Sequence, residues 1–488
     1  MAKYYITTTA PYVNSDPHIG FALEIIQADV IARYHDEIIG DSVFFNTGTD
    51  EHGKKIYEKA VEEGKDPKEY VDYYAAKFKN LKKSLGLSEG LNFSRTTDER
   101  HIAAAQEIWR RVEANGYIRR GVYQAKYCVG CELEKQDSDL VEGRCPLHPN
   151  KELEQIDEEN YFFCFSKLQD KLLSLYEKYP DFVVPPHRQK EITNFVKSGL
   201  SDFSISRLKE KMPWGIPVPG DDTQVMYVWF DALTYYISAL DWPTDEEAFG
   251  SYWGSVETPK AVQVAGKDNL RQQASMWQAM LLAANLPTSR QIMIHGFITS
   301  NGMKISKSLG NTVDPLEYVE KYGVDALRYY LLAKMDPFED SDFTKEKFAL
   351  VYTSDLVNGL GNLVSRVAAL CEKCGLNFKE EKESEQNTLA DDIAPYIDSY
   401  QFDQALKRIW GNIAGLDNYI SKQRPWQQEL SEANKTLSNI VIGMTGLSGI
   451  RDIAGALRPF MPETAEKILT HFNQEKITKM SPLFPRLT

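Results

Sequence analysis

The chain has no run of about 18 to 20 uncharged apolar residues, the length that a membrane-spanning helix requires, anywhere in its 488 residues. Its first residues, 1–5, lead directly into a strand-like segment and not into a signal peptide. Positive charge is also scarce, since 56 Lys and Arg stand against 70 Asp and Glu, for a net charge of −14. These absences predict a cytoplasmic protein that does not coat nucleic acid nonspecifically, although Lys407 with Arg408, or residues 422–424, can form a local basic face.

Cysteine is rare, with six in the chain, which favours metal binding or packing over disulfides. Four ligand candidates nevertheless fall in one short polar segment as C-x2-C-x13-C-x2-H: Cys128, Cys131, Cys145 and His148. Three thiolates and an imidazole form a complete tetrahedral set for one structural Zn2+ per chain, contributing about 10 kcal/mol or more to local folding. The alternative is that these are four unrelated residues in a reduced loop. That alternative gives no reason for the paired spacing of the four residues.

Two short segments carry the residue types that hold a nucleoside triphosphate. Residues 17–20, Pro-His-Ile-Gly, lie between a strand-like run and an apolar-periodic stretch, which predicts a strand-to-helix turn. A helix start attracts anions, and we expect Asp16 to cap it and His18 to add a donor. Residues 304–308, Lys-Ile-Ser-Lys-Ser, lie between Asn-Gly and Gly-Asn pairs that predict a mobile loop. Lys304 and Lys307 are spaced to neutralise charge on a polyphosphate.

Each segment alone is typical of a solvated turn or a charged surface loop. Their order along the chain resembles the HIGH and KMSKS signatures of class I aminoacyl-tRNA synthetases. Further motifs resemble one family of that class, the methionyl-tRNA synthetases of bacterial type, over nearly the whole chain. These motifs are Gly-Thr-Asp-Glu-His-Gly at 48–53, Val-Trp-Phe-Asp-Ala-Leu at 228–233, Gly-Lys-Asp at 266–268, and the segments 322–330, 361–366 and 424–426.

The resemblance implies which residues form the site. The carboxylate of Asp50 is implied to hold the ammonium group of the amino acid, because a partly buried charge needs a partner. The implied methionine-binding residues are Ala10, Tyr12, Asp50, Trp229, Ala232, Tyr236, Asn269 and Gln273. The implied ATP-binding residues are Gly20, Phe21, Gly266, Asp268 and Lys307, and the implied catalytic residues are His18, Lys304 and Lys307. The implied anticodon-binding residues, whose side chains can stack on a base or bond its edge, are Asn362, Arg366 and Trp426.

Without the family, these residues have ordinary interpretations. Asp50 would lie in a polar turn and Trp229 in an aromatic core strand. Asn362 and Arg366 would form a solvated helix face, and Trp426 would cap the core. Some positions also depart from the family's pattern. The fourth residue of the HIGH signature is Phe21, and residues 269–273 are Asn-Leu-Arg-Gln-Gln where the family usually has an apolar residue and then phenylalanine and histidine. Because a thioether is only a weak acceptor, we expect Gln273 to replace the histidine as a hydrogen-bond donor, although a buried amide left unpaired would cost about 1 to 3 kcal/mol.

The length predicts several domains. The expected fold class is α/β: a Rossmann-like parallel-sheet catalytic domain with an inserted zinc-knuckle domain, followed by an all-α anticodon-binding domain. Strands are predicted at residues 42–48, 224–230 and 261–265. The predicted boundaries are 1–115 and 213–293 for the catalytic halves, 116–212 for the insertion, 294–350 for the lysine-loop region and 351–488 for the helical domain.

The family resemblance implies a monomeric ligase that activates L-methionine with Mg-ATP and transfers it to the 3′ end of tRNA(Met), with no membrane partner. Three alternatives stay open: a class I synthetase for another amino acid, a catalytically silent tRNA-binding relative, and a generic nucleotidyltransferase. His18, Lys304 and Lys307 disfavour the silent relative. A generic nucleotidyltransferase would not need the anticodon-binding residues.

Overall fold

The computed structural model describes residues 1–131, 133–135, 139–305, 311–378, 388–444 and 446–487. The α-helices in this part of the chain are α1 (Ile19–Arg33), α2 (Lys54–Glu62), α3 (Pro67–Ser84), α4 (Glu99–Ala114), α5 (Gln169–Lys178), α6 (Pro186–Lys197), α7 (Val228–Ala232), α8 (Tyr235–Ser238), α9 (Glu246–Tyr252), α10 (Gln278–Ala283), α11 (Pro315–Tyr322), α12 (Val324–Ala333), α13 (Lys345–Val351), α14 (Asn362–Cys374), α15 (Thr388–Asp398), α16 (Phe402–Gln423), α17 (Leu430–Ile442), α18 (Ile450–Leu457) and α19 (Pro462–Phe472).

The strands are β1 (Lys3–Thr7), β2 (Ser42–Thr49), β3 (Asn92–Arg95), β4 (Ile118–Cys128), β5 (Leu133–Lys135), β6 (Glu154–Phe163), β7 (Val183–Val184), β8 (Phe203–Ser204), β9 (Ser206–Leu208), β10 (Pro217–Val218), β11 (Asp221–Met226), β12 (Val262–Gly266), β13 (Gln291–His295), β14 (Ile298–Ser300), β15 (Met303–Lys304), β16 (Ser341–Phe343), β17 (Gly443–Met444) and β18 (Leu447–Ser448). None of the described helices combines the length and the apolar character that crossing a membrane requires.

The chain divides into two compact units. The first contains Met1–Pro17, Asp41–Asn80 and Glu89–Ile294. The second contains His18–Gly40, Leu81–Ser88 and His295–Thr488. The sequence analysis predicted five segments, whereas the structure divides the chain into two units. The predicted segment boundaries therefore stay predictions.

The first unit is built on a six-stranded sheet with the order β3-β2-β1-β12-β13-β7. The pairings of β3 with β2, β2 with β1, β1 with β12, and β13 with β7 are parallel. The inner strands β1 and β12 carry buried apolar runs, as expected of parallel strands covered on both faces. The strand order reverses between β1 and β12, and α/β proteins bind ligands at the carboxyl ends of the strands beside such a reversal. This sheet confirms the predicted Rossmann-like class.

Two antiparallel sheets complete the first unit. One has the order β5-β4-β6-β8 and is formed by residues 118–204, where an inserted domain was predicted. The other has the order β10-β11-β9. The strand predicted at residues 224–230 is therefore wrong in two respects: β11 ends at Met226 outside the parallel sheet, and Val228 begins helix α7. A short apolar run fits a buried helix as well as a buried strand, so periodicity could not separate them.

The second unit contains α1, a three-stranded sheet of order β15-β14-β16, and the helices that follow. In the helical part α15 packs on α16, α14 on α17 and α18 on α19. A fully buried ion pair joins Asp29 of α1 to Arg328 of α12 at 2.8 Å. Arg328 also donates to the carbonyls of Phe460 and Pro459, at 2.9 and 3.0 Å. One arginine therefore holds α1 to α12 and to the segment between α18 and α19.

Candidate active site and metal centre

Several predicted site residues follow the carboxyl ends of neighbouring parallel strands in the first unit. Ala10 and Tyr12 come after β1, Asp50 comes directly after β2, and Gly266 ends β12 with Asp268 behind it. Ala10 packs against the hydrophobic core and Gly266 is buried, whereas Asp268 is exposed. Because parallel strands share the direction of their ends, these residues lie at one edge of the sheet.

Backbone hydrogen bonds fix Asp50 beside Tyr12. The Asp50 N–H donates to the Pro11 carbonyl at 3.0 Å, and the Asp50 carbonyl accepts from the Val13 N–H at 3.2 Å. These bonds form a short parallel bridge between Tyr12 and Asp50. The Tyr12 hydroxyl donates to the His52 carbonyl at 2.9 Å, and Asp50 is only 5% exposed. A carboxylate held at the strand ends is suited to bind an ammonium group.

Aromatic residues of α7 and α8 form a second predicted part of the site. Trp229 and Ala232 are three residues apart on α7 and therefore share one face of that helix. Trp229 is half-buried, and its indole N–H has no hydrogen-bond partner among the described residues. Tyr236 is buried on α8, with its ring centroid 5.8 Å from that of Trp277. These side chains present apolar faces of the kind that bind a hydrophobic side chain.

Asp231, a buried carboxylate that was not predicted from the sequence, joins the strand-end part of the site to the aromatic part. Asp231 of α7 is fully buried and accepts from His52 Nδ1 at 2.8 Å and from His101 Nε2 at 2.7 Å. Burial alone would raise the pKa of Asp231, but the charge of His52 and the hydrogen bonds of both histidines outweigh it and lower the pKa to about 2. Asp231 therefore stays ionised at neutral pH and links the end of β2, α4 and α7.

Both partners of this link lie inside motifs that the sequence displays. His52 follows Asp50 by two residues, and Asp231 stands between Trp229 and Ala232. A polar residue inside an otherwise apolar segment was the available signal, because a buried carboxylate requires partners. His101 has no such signal, since it lies in the amphipathic helix α4.

The two unusual residues after β12 differ in their surroundings. Asn269 is half-buried at the end of a 3-10 turn, Lys267–Asn269. Gln273 is 2% exposed, and its amide is paired: Nε2 donates to the Tyr236 hydroxyl, and Oε1 accepts from Gln263 at 3.1 Å. The predicted donor role of Gln273 is thus directed at Tyr236.

The helix that carries the HIGH-like segment begins with His18 itself. His18 is the N-cap of α1, and its Nδ1 accepts from the Gly20 N–H at 3.1 Å. The predicted cap, Asp16, is wrong, because its carboxylate pairs with Lys77 at 2.6 Å instead. A Cβ on Gly20 would lie 3.0 Å from the imidazole, so glycine makes room for this cap. Because Nδ1 accepts, only Nε2 of His18 can donate to a ligand, and Phe21 in the same turn is buried.

The lysine loop follows a hairpin in the second unit. Lys304 pairs with Thr299 across the β14–β15 hairpin. The segment after the loop reaches the start of α1, where the Ile19 N–H donates to the Val313 carbonyl at 3.0 Å. Lys307 lies outside the described residues. The chain segments on either side of the lysine loop therefore belong to the same compact unit as His18.

The predicted metal ligands come together in the first unit, with all four ligand atoms within 4.8 Å of one another. From His148 Nδ1, the sulfur atoms of Cys131, Cys128 and Cys145 lie at 3.2, 3.8 and 4.0 Å. A tetrahedral zinc site with bonds of about 2.0 to 2.3 Å separates its ligand atoms by about 3.5 to 3.8 Å. A Cβ on Gly130 would lie 2.5 Å from the His148 ring, so the knuckle also requires this glycine. The group has the composition and spacing of a metal site.

The predicted anticodon residues lie on one side of α14 and on the segment after α16. Asn362 is exposed at the first turn of α14, and Arg366 follows one turn later. The Arg366 guanidinium lies 5.1 Å from the centre of the Trp426 ring and pairs with Asp417 at 2.9 Å. Trp426 is 40% exposed, so its ring is accessible and is not a core cap. The structure thus brings Arg366 and Trp426 together, with Asn362 on the same helix as Arg366.

The sheet order agrees with the comparison to known families. The family model described as "tRNA synthetases class I (M)" matches residues 4–155 and 149–368. Fold and sequence together therefore define a class I tRNA synthetase.

Individual relatives narrow the class. The chain is 38% identical to a methionine–tRNA ligase of Thermotoga maritima over 97% of this chain and 76% of the relative. It is 40% identical to one of a Nostoc species over 95% of this chain and 89% of the relative. Among solved structures, Mycobacterium tuberculosis methionyl-tRNA synthetase in complex with methionyl-adenylate matches with a TM-score of 0.89 and 32% identity over 100% of both chains. This chain belongs to the methionine–tRNA ligase family.

Proposed function

We propose that this chain activates L-methionine with ATP and transfers it to the 3′ end of tRNA(Met). The observation that carries the proposal is the buried Asp50 at the strand ends, joined through His52 and Asp231 to the helix that bears Trp229. A negative group and an apolar surface held in fixed relation are what an amino acid with a hydrophobic side chain requires.

Methionine binding is assigned to the first unit. Asp50, positioned by Tyr12, receives the ammonium group, and Ala10, Trp229, Ala232 and Tyr236 surround the thioether side chain, with Asn269 and Gln273 behind them. Discrimination has to come largely from shape, because one methylene contributes only about 1 to 3 kcal/mol. Membership of the methionine–tRNA ligase family supports this assignment over another amino acid.

The residues proposed to bind ATP, as its Mg2+ complex, are assigned within each unit by itself: the start of α1 and the lysine loop in the second unit, and the segment around β12 in the first. His18 Nε2, which can donate at the start of α1 beside Gly20 and Phe21, is suited to phosphate oxygens. Gly266 and Asp268 are assigned to the nucleoside. Lys304 and Lys307 are assigned to the charge that develops as pyrophosphate leaves.

Two bond exchanges follow. A carboxylate oxygen of methionine attacks the α-phosphorus, and the bond to pyrophosphate breaks, which gives methionyl-adenylate. A ribose hydroxyl of the terminal adenosine of tRNA then attacks the methionyl carbonyl carbon, AMP leaves, and the hydroxyl proton passes to the departing phosphate or to solvent. The protein contributes mainly orientation and charge stabilisation to both steps.

The tRNA is assigned to the helical part through Asn362, Arg366 and Trp426. The exposed Trp426 ring can stack on an unpaired anticodon base, and Arg366 and Asn362 can bond base edges. Specific recognition of the CAU anticodon, a monomeric state and a cytoplasmic location belong to the same proposal.

The Cys128, Cys131, Cys145 and His148 group is assigned to one Zn2+. With four protein ligands the ion would cross-link the knuckle and leave no position open for a substrate. No step of the reaction depends on it.

The test is an ATP–pyrophosphate exchange screen of the standard amino acids, followed by charging of tRNA(Met). The proposal expects exchange with methionine and charging of this tRNA. Exchange with another amino acid would favour a different class I specificity. Exchange without charging of any tRNA would favour a generic nucleotidyltransferase, and tRNA binding without exchange would favour a silent relative.

A further inference from the structure

The hairpin that carries Lys304 ends in a tight two-residue turn. Strands β14 and β15 pair antiparallel, and Ser300 and Met303 form the pair next to the turn. The two residues between them, Asn301 and Gly302, both have positive φ, 54° and 73°. This is the pattern of a type I′ turn, which an Asn-Gly pair favours. Because a two-stranded hairpin is at most marginally stable on its own in water, this one needs support from the rest of the second unit.

Strand β15 lies at the edge of a three-stranded sheet. The strand order is β15-β14-β16, so among the described residues β15 pairs with β14 alone. Strand β16 runs parallel to β14 on its other side and places Asp342 opposite Thr299. The backbone position of Lys304 therefore depends on a two-residue edge strand and on the turn before it.

Asp342 bonds this turn from outside the hairpin. Its Oδ1 accepts from the Gly302 N–H at 2.7 Å and from the Thr299 hydroxyl at 3.0 Å. The hydrogen bond within a β-turn uses the N–H of the fourth residue, here Met303, so the Gly302 N–H needs a partner elsewhere. The bond from Gly302, helped by Thr299 and by the charge of Lys347, lowers the pKa of Asp342 against the opposing effect of burial. The ionised carboxylate thus accepts from both the turn and β14.

We propose that Asp342 is a positioning residue for Lys304. It holds the turn at residues 301–302 to β16, and the turn holds the edge strand that carries the lysine. A cation stabilises a leaving pyrophosphate best when it is already in place before the charge develops, so a looser hairpin would slow the reaction. The inference rests on the proposed function, which assigns Lys304 to the leaving pyrophosphate, and Asp342 acts only through that lysine.

The test replaces Asp342 with alanine, which removes both bonds to the hairpin. The measured quantity is the single-turnover rate of methionyl-adenylate formation at saturating methionine and ATP. We expect this rate to fall about ten- to a hundredfold, the range that a misplacement of up to about 1 Å produces. The KM for methionine should stay within about twofold of the wild-type value, because the methionine-binding residues are assigned to the first unit.

A background without the lysines separates positioning from a general loss of structure. Lys304→Ala/Lys307→Ala removes both ammonium groups, so a displaced hairpin has no charge left to misplace. Adding Asp342→Ala to this background should therefore cost no further rate. Asp342→Asn, in the presence of both lysines, keeps an oxygen that can accept from Gly302 and Thr299, and should recover most of the rate lost in Asp342→Ala.

Asp336→Ala is the matched control. Asp336 is an exposed carboxylate of the same unit, and its Oδ1 also accepts two bonds, from the N–H groups of Phe338 and Glu339 at 2.9 Å each. These bonds lie within the loop before β16. Removing them should leave the rate within about twofold of the wild-type value. If Asp336→Ala slowed adenylate formation as much as Asp342→Ala, the loss of any nearby turn would explain the effect, and the inference would be overturned.

Two other results overturn the inference: a wild-type rate in folded Asp342→Ala, or an equal loss of rate with and without the two lysines. If Asp342→Ala does not fold, Thr299→Val takes its place, because it removes one of the two bonds and suits a strand. Its rate should fall about two- to fivefold with the lysines present and not at all without them; a wild-type rate would again overturn the inference. Absence of adenylate formation in the wild-type protein would instead refute the proposed function.

Discussion

Replacing Asp231 with alanine should destabilise the first unit and loosen the amino-acid site. The pKa of Asp231 is lowered from 3.8 to about 2, so its interactions with His52 and His101 contribute about 2 to 3 kcal/mol, at 1.36 kcal/mol per pKa unit. Because the folded-state pKa is lowered, this contribution is present above about pH 4 and is lost as the pH falls towards 2. At neutral pH the variant should therefore lose all of it.

Thermal unfolding at pH 7.5 measures the loss. For a domain of 150 to 250 residues, 1 kcal/mol changes Tm by about 2 to 4 °C, so the transition of the first unit should fall by about 5 to 10 °C. Asp222→Ala is the control, because Asp222 is an exposed carboxylate of β11, and such surface changes stay within about 0.5 kcal/mol.

The same variant tests the link to function. Asp231 ties the end of β2 to α7, so its loss should displace Asp50 relative to Trp229 and raise the KM for methionine by about tenfold or more. The KM for ATP should change far less. If Asp231→Ala retained the wild-type Tm and the wild-type KM for methionine, the buried carboxylate would not be what holds the two parts of the site together.

Three other changes test the lysine loop, the anticodon-binding residues and the metal group. Lys307→Ala should slow methionyl-adenylate formation strongly and change methionine affinity little, because it removes charge from the leaving pyrophosphate; wild-type exchange rates would contradict the role of the lysine loop. Trp426→Ala should reduce charging of tRNA(Met) and leave methionine-dependent exchange intact, since Trp426 is proposed to bind the anticodon and has no part in methionine activation; unchanged charging would remove Trp426 from anticodon recognition. Elemental analysis should find one zinc per chain, and Cys145→Ser should lower that content; metal-free wild-type protein would refute the zinc assignment.

Features of the fold that depend on local pattern were predictable from the sequence. The strands at residues 42–48 and 261–265 are found as β2 and β12, because apolar runs of that length suit a parallel sheet covered on both faces. The metal group was predictable because its ligand spacing is itself the signal, and the four ligand atoms are close together in the structure. The α/β class followed from the alternation of such strands with helices.

Features that depend on distant partners were not predictable. Asp16 has the residue type of a helix cap, but Lys77, far along the chain, pairs with it and leaves His18 to cap α1. Val228 and its neighbours have strand propensity, yet they form a helix whose Asp231 bonds His52 and His101. In α7, buried tertiary bonds outweigh a local strand preference of about 1 kcal/mol or less, whereas Asp16 cannot cap α1 because the helix begins at Ile19, three residues further on.

A crystal structure of the protein with bound L-methionine would show whether Asp50 receives the ammonium group of the amino acid. We expect the ammonium nitrogen within hydrogen-bond distance of the Asp50 carboxylate, with the thioether against Trp229 and Tyr236. Methionine bound elsewhere, or bound with its ammonium group away from Asp50, would contradict it.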